Sequence, residues 1–302
     1  MNQQILKTPA AELIPDPKVD YVDVHNILGP SLDMIIPDPS VPSANLLLNS
    51  PHGLGKTLMA AVMAKNLGKK IGSPVPMIVF DCSEDTREYD LVGMPTVLAD
   101  GTTAFQLGPF PLALELANEC GCAILLAEEI SALPPGAQKS FNRMTDWRSG
   151  IYVSQVGRMF RLDPGATLVV MGTMNPAVYG GVYSLNQDLR SRFSEVRIPA
   201  PTQKQMEQIL KSVCPWANPD HVIMAAKLAS ESRSEATEYS LSTRDMVQLL
   251  QTIHRANGVV DFPLRLIVNK FEDSEMNTMA DRVDAIFATN IKKDIGTAAA
   301  HV

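Results

Sequence analysis

The sequence predicts an α/β fold, a parallel sheet covered by helices with a smaller C-terminal helical domain. Short apolar runs at 46–48, 77–80, 123–126 and 168–171 alternate with helical stretches. Strands apolar on both faces and separated by helices pair in parallel. After Pro199-Ala200-Pro201 the strand signals stop, and 203–213, 221–231, 242–254 and 282–291 read as helices. At 302 residues the chain has room for two unequal domains. The division is an N-terminal lead-in arm over 1–40, an α/β domain over 41–200 and a helical domain over 201–302. The arm is rich in Pro and Asp, with Ile-Pro-Asp-Pro at 14–17 and again at 36–39, and reads as irregular. The terminal Gly-Thr-Ala-Ala-Ala-His-Val at 296–302 reads as a frayed end.

Composition narrows the function classes. Hydrophobic residues make up 45% and charged ones 20%, with 22 Pro and 18 Gly, which excludes collagen, coiled coil and wholesale disorder. A net charge of −7 argues against broad wrapping of nucleic acid or anionic lipid. A local basic cluster stands at Arg143, Arg148, Arg158 and Arg161. The N-terminus lacks an apolar signal region, and the longest apolar runs, 122–127 and 166–171, are too short to cross a bilayer, so a cytoplasmic protein is expected. Cys82, Cys120, Cys122 and Cys214 are too sparse for a disulfide framework and read as reduced packing thiols. The five histidines lack H-x-x-x-H spacing, so no zinc site is expected.

The strongest chemical signal follows the first apolar run. Ser50, Pro51, His52, Gly53, Leu54, Gly55, Lys56, Thr57 and Leu58 link it to a helix in which Met59, Val62, Met63 and Leu67 share a face and Gly68 marks the end. Strand, loop and helix in this order make a phosphate loop. Backbone N–H groups and the helix dipole cradle the β-phosphate, Lys56 reaches the β- and γ-oxygens, and the Thr57 hydroxyl can ligate Mg²⁺. Ser50 stands where the G-x-x-x-x-G-K-T pattern has its first glycine. A dinucleotide-binding reading is weaker, because Leu58 occupies the place of the third glycine.

Hydrolysis needs an acidic pair at the end of another buried strand, one acid for Mg²⁺ and one for the attacking water. Glu128 and Glu129, directly after the apolar run 122–127, supply that pair. The strand at 168–171 leads into Gly172-Thr-Met-Asn175-Pro176, which puts the Asn175 amide at a neighbouring strand tip, able to orient the water. Residues 149–163 alternate around Val156-Gly157-Arg158 and read as a hairpin, 151–154 pairing with 159–162. Ala99-Asp100-Gly101-Thr102 is turn chemistry between two extended runs.

Gly53-Leu-Gly-Lys-Thr57, Leu125-Leu-Ala-Glu-Glu-Ile130 with Pro134-Pro-Gly-Ala-Gln138, Thr173-Met-Asn-Pro176, Ser191-Arg192-Phe193 and Leu241-Ser-Thr-Arg244 occur in that order. Over roughly residues 40–260 the sequence thereby resembles the AAA+ ATPases, and among them the MoxR group with its CbbQ and NorQ activators. The resemblance implies a parallel-sheet P-loop AAA+ core with a helical lid. It also implies Glu129 as catalytic glutamate, Asn175 as first sensor, Arg192 as the arginine finger with Arg190 as its rival, and Arg244 as second sensor. Thr57 and Glu128 would hold Mg²⁺, Glu128 standing where the family has aspartate. Residues 83–110 resemble the pore-facing insert and 149–163 the inserted hairpin, which offers Phe105, Phe110 and Phe160 as substrate contacts, although aromatic residues in hairpins are more often packing groups.

The implied activity is ATP hydrolysis by a ring, of six subunits in the family, that remodels or activates a protein partner, commonly one with a von Willebrand A domain. Two alternatives stay open. One is a nucleotide-gated scaffold with little hydrolysis. The other is a nucleic-acid motor or loader using the basic cluster, which the acidic total charge disfavours.

Overall fold

The computed structural model describes residues 4–41, 43–146, 150–176, 184–233, 239–289 and 291. The sequence expectations at Arg148, at residue 149 of the hairpin and at 296–302 lie outside the described residues. The chain folds as two compact units, Met1–Ser50 with Lys56–Ile198, and Pro51–Gly55 with Pro199–Val302. The first forty residues are thus part of the α/β unit and not a separate arm. The five residues 51–55 leave that unit for the helical one.

The first unit runs β1 (Gln4–Leu6), α1 (Leu28–Asp33), β2 (Leu46–Asn49), α2 (Lys56–Ile71), β3 (Met77–Asp81), α3 (Glu88–Val92), β4 (Gly93–Val97) and β5 (Thr103–Leu107). It continues with α4 (Pro109–Cys120), β6 (Cys122–Glu128), α5 (Pro135–Met144), β7 (Gly150–Val153), β8 (Arg158–Arg161), β9 (Thr167–Met174), α6 (Gln187–Arg190) and β10 (Ser194–Arg197). Five strands form an all-parallel sheet in the order β10-β2-β9-β6-β3. The four apolar runs are its β2, β3, β6 and β9. The fifth strand, β10, was not expected, because Ser194-Glu-Val-Arg197 carries one apolar residue and becomes a strand by pairing with β2 at the sheet edge.

Alternation along the strands sends each sheet face into its own core. Leu47, Leu125, Ala127 and Val170 pack with α4 residues such as Leu114 and Ala117. Leu46, Leu48, Ile124, Leu126, Val169 and Met171 pack with Met59, Met63 and Leu67 of α2. That helix continues through Gly68 to Ile71, one turn beyond the expected end.

The N-terminal residues are ordered by partners far along the chain. β1 pairs in parallel with β5, which pairs antiparallel with β4, giving a second, three-stranded sheet. Asp23 caps α1, its carboxylate accepting from the Ile27 and Leu28 amides at 3.0 and 2.8 Å. A three-residue strand and a six-residue helix are too short to leave a periodic signal, and between them residues 14–27 have no regular structure.

The turn at 99–102 joins β4 to β5: Leu98 N donates to Thr102 O at 2.8 Å and Thr102 N to Asp100 Oδ1 at 2.9 Å. β7 and β8 form the expected hairpin, with Ile151 opposite Phe160. The phenylalanines expected to touch substrate do not reach the surface, since Phe105 and Phe110 are 0% and Phe160 is 2% exposed. Phe110 packs edge-on against Phe141 at 4.8 Å, so these rings are core. The outward face of the hairpin instead carries Tyr152 opposite Met159, both exposed.

In the second unit α7 (Gln203–Val213), α8 (Pro219–Glu231), α9 (Thr243–Arg255), α10 (Asp261–Val268) and α11 (Asp273–Phe287) bury a core that includes Leu210, Val222, Leu249, Ile253 and Leu264. Thr202, Asn218 and Ser242 cap α7, α8 and α9 through their side chains. α10 was not expected, and the helix placed at 282–291 is α11, which starts nine residues earlier and ends at Phe287. The first turns of α11 are polar, and its buried stripe of Met279, Ala280, Val283 and Phe287 begins only midway.

Cys82, Cys122 and Cys214 are buried free thiols. Burial, with a smaller contribution from Cys120, pushes the Cys122 thiol up to about 12. No helix among the described residues is long and apolar enough to cross a membrane.

Candidate functional site

The C-terminal end of the parallel sheet gathers the candidate residues of the first unit. β2 ends at Asn49, and Ser50 extends the ladder by donating its N–H to Met174 O of β9 at 3.2 Å. α2 starts at Lys56, which puts the positive end of the helix dipole at the loop. Lys56 Nζ donates to Ser50 O and to Asn175 Oδ1, each at 2.8 Å. The Ser50 hydroxyl lies 3.4 Å from the same ammonium, so the serine in place of glycine adds an oxygen near the lysine.

Thr57 Oγ1 donates to Glu128 Oε1 at the end of β6. In the sheet register Asp81 of β3 lies opposite Glu128. Glu129 leaves the strand with φ at 53°, the left-handed region, and its N–H donates to Thr173 Oγ1 of β9 at 3.0 Å. That conformation costs a non-glycine residue on the order of 1–3 kcal/mol. Positive φ at a non-glycine residue marks Glu129 as a candidate for a functional role. Lys56 thus meets Asn175, Thr57 meets Glu128, and Glu129 follows Glu128 with its backbone amide on Thr173. Thr173 had a signal, since it stands two residues before Asn175 on a strand otherwise apolar.

The two rival arginines have different partners. Arg190 donates to Glu195 Oε2 at 2.7 Å, and Glu195 Oε1 accepts from Asn49 Nδ2 at 2.9 Å and Arg197 Nε at 3.0 Å. The hydrogen bond from Arg190, then that from Asn49, holds the Glu195 carboxyl down at about 2. Arg192 lies 3.3 Å from Asp188 and 3.6 Å from Asp146, and its buried Nε has no hydrogen-bond partner among the described residues. Neither Glu195 nor Asn49 was marked in the sequence, because their meeting depends on β10 lying beside β2.

In the second unit the loop residues 51–55 meet the start of α9. Gly53 and Gly55 take φ values of 68° and 83°, open to glycine at little cost. The Arg244 N–H donates to Gly53 O at 3.3 Å. A Cβ on Gly53 would stand 2.3 Å from Ser242 Oγ, so the loop backbone lies directly on the capping serine. Arg244, the second residue of α9, has an exposed side chain.

The donor set suits a magnesium nucleotide. Thr57 and Glu128 offer only oxygen, as a small hard cation prefers, and they already face each other. The Lys56 ammonium at the start of α2 suits a bound phosphate.

Residues 45–193 match the family model described as AAA domain (dynein-related subfamily). The chain is also similar to the crystal structure of a provisionally assigned ATPase from Cytophaga hutchinsonii, at 15% identity and a TM-score of 0.47 over 97% of this chain and 92% of that one. That second likeness is too distant to carry functional weight. The sheet order and the family match agree, and residues 45–193 have the fold of an AAA-type P-loop domain, followed by a helical region.

Proposed function

We propose that the protein is a ring-forming ATPase, resembling the MoxR group, that couples ATP hydrolysis to remodelling or activation of a partner protein in the cytoplasm. The observation that carries the reading is the Lys56 ammonium held between Ser50 O and Asn175 Oδ1, with Thr57 on Glu128 beside it. Three adjacent strands, β2, β9 and β6, thus deliver the lysine, the amide and the carboxylate to one place.

In the mechanism, the loop 50–58 binds the phosphates through backbone N–H groups, and Lys56 meets the β- and γ-oxygens. Thr57 and Glu128 would hold a Mg²⁺ ion, whose charge would offset the negative charge of the phosphates. Glu129 takes a proton from the attacking water, and Asn175 orients that water from the neighbouring strand. Arg192, or Arg190, reaches the γ-phosphate bound by the next subunit, and Arg244 reports occupancy to the helical unit. An arginine acting in trans fits a closed ring, and the resemblance to the MoxR group suggests six subunits. A von Willebrand A domain protein is the first partner to test.

The nucleic-acid alternative loses support at the basic cluster. Arg158 lies 2.7 Å from Glu115 and Arg143 lies 3.6 Å from Glu88, so two of its charges are met by carboxylates of the chain. The decisive experiment is steady-state phosphate release from Mg-ATP across protein concentration, with Lys56→Ala, Glu129→Gln and Arg192→Ala alongside. Turnover that rises faster than linearly with concentration and disappears in all three variants is the expected result. ATP binding without turnover in the wild type points to the scaffold.

A further inference from the structure

One buried carboxylate stands behind the placement of the loop tip. Asp245, the third residue of α9, has a side chain only 7% exposed. Its Oδ2 accepts from the Ser242 amide at 2.8 Å, the Ser242 hydroxyl at 2.6 Å and the Tyr239 hydroxyl at 3.2 Å. Its Oδ1 accepts from Lys270 Nζ.

Both side chains that donate to Oδ2 also touch residues 51–55. Ser242 Oγ occupies the space that a Cβ on Gly53 would need. The Tyr239 ring lies 5.6 Å from the His52 ring, centroid to centroid, and packs edge-on against Phe271 at 5.4 Å. Between them the Arg244 N–H reaches Gly53 O. A capping box needs only the serine and the acid. The tyrosine and the lysine exceed that need, and the tyrosine extends the network toward the loop.

We propose that Asp245 is a positioning residue for the nucleotide: through Ser242 and Tyr239 it fixes the loop tip, and with it the backbone amides offered to the phosphates. The proposal rests on the ATP-binding reading above. Asp245→Asn keeps the shape but replaces one acceptor oxygen with a donor that faces other donors. Tyr239→Phe removes only the hydroxyl, leaves the capping box intact and serves as the variant that stays folded.

Two readouts on the full chain test it. The first is hydrogen–deuterium exchange of the peptide spanning residues 51–55 without nucleotide, against peptides from α8 as an internal reference. The second is binding and turnover of a fluorescent ATP analogue. Faster exchange confined to the loop peptide is expected in both variants, with the analogue's Kd raised about ten-fold by Asp245→Asn and about three-fold by Tyr239→Phe. In Tyr239→Phe, KM rises while kcat holds, a split that a loss of folded protein does not produce. Unchanged loop exchange and unchanged Kd in a folded Tyr239→Phe overturn the proposal. A wild type that fails to bind the analogue overturns the ATP reading, and the loop exchange then still decides whether Asp245 fixes the tip.

Discussion

Glu195 in the first unit and Asp245 in the second each collect at least three hydrogen bonds, yet they meet different electrostatic demands. Glu195 lies on the edge strand β10 with its side chain 19% exposed, and two of its partners are arginines that reach water. Asp245 is nearly sealed. Burial works against its charge, and hydrogen bonds from Lys270 and then Ser242 overcome that cost and keep the carboxyl below its ordinary value. An edge carboxylate can recruit long, mobile cations, whereas a buried one needs short donors already in position. The first arrangement tolerates change better than the second.

The largest expected effect is at the buried hub. Asp245→Ala leaves Lys270 without its carboxylate and the Tyr239 hydroxyl without its acceptor, and should cost roughly 3–5 kcal/mol by urea denaturation. Glu195→Gln should cost about 1–2 kcal/mol at pH 7. A loss at Glu195 as large as that at Asp245 would break the contrast.

Acid sharpens it. Glu195 titrates at about 2 in the folded chain against an ordinary 4.5, and a depressed value contributes stability above 4.5 that is lost as pH falls toward 2. The stability gap between wild type and Glu195→Gln should therefore be full at neutral pH and close through that window, read as denaturation midpoints at successive pH values. Smaller still, Arg190→Ala should cost about 1 kcal/mol and also loosen the Asn49 contact. Arg197, 77% exposed, should give at most about 0.5 kcal/mol on replacement by Ala.

What the sequence revealed follows the same division. The acid pair, the loop and Asn175 were legible because each closes or follows a strand buried on both faces, where a polar residue stands out. Ser242 and Asp245 sit three apart before an apolar stripe, the ordinary signature of a helix start, and that local meaning concealed the contact of Ser242 with Gly53. β10, Glu195 and Asn49 were not legible, because pairing between distant segments leaves no mark in a polar four-residue stretch. Phe105 and Phe160 sit on strands whose alternation puts their rings on the covered face, and Phe110 is buried in the first turn of α4 against Phe141, so the packing reading of these rings holds.

The sheet register also fixes an order of events during synthesis. β2, which carries the loop, pairs only with β9 and β10, so Leu46 waits for Met171 and Ser194 before either edge of its strand is satisfied. β1 likewise has no partner until Ala104 and its neighbours have been made. A ribosome-bound chain cut before residue 167 would therefore hold β2 unpaired and apolar, a target for chaperones and for self-association. Stalled chains of increasing length, probed by proteolysis, should stay sensitive until β9 has emerged and gain full resistance only after β10. The strand made first in the central sheet is thus completed last, and the phosphate loop acquires its final setting near the end of domain synthesis.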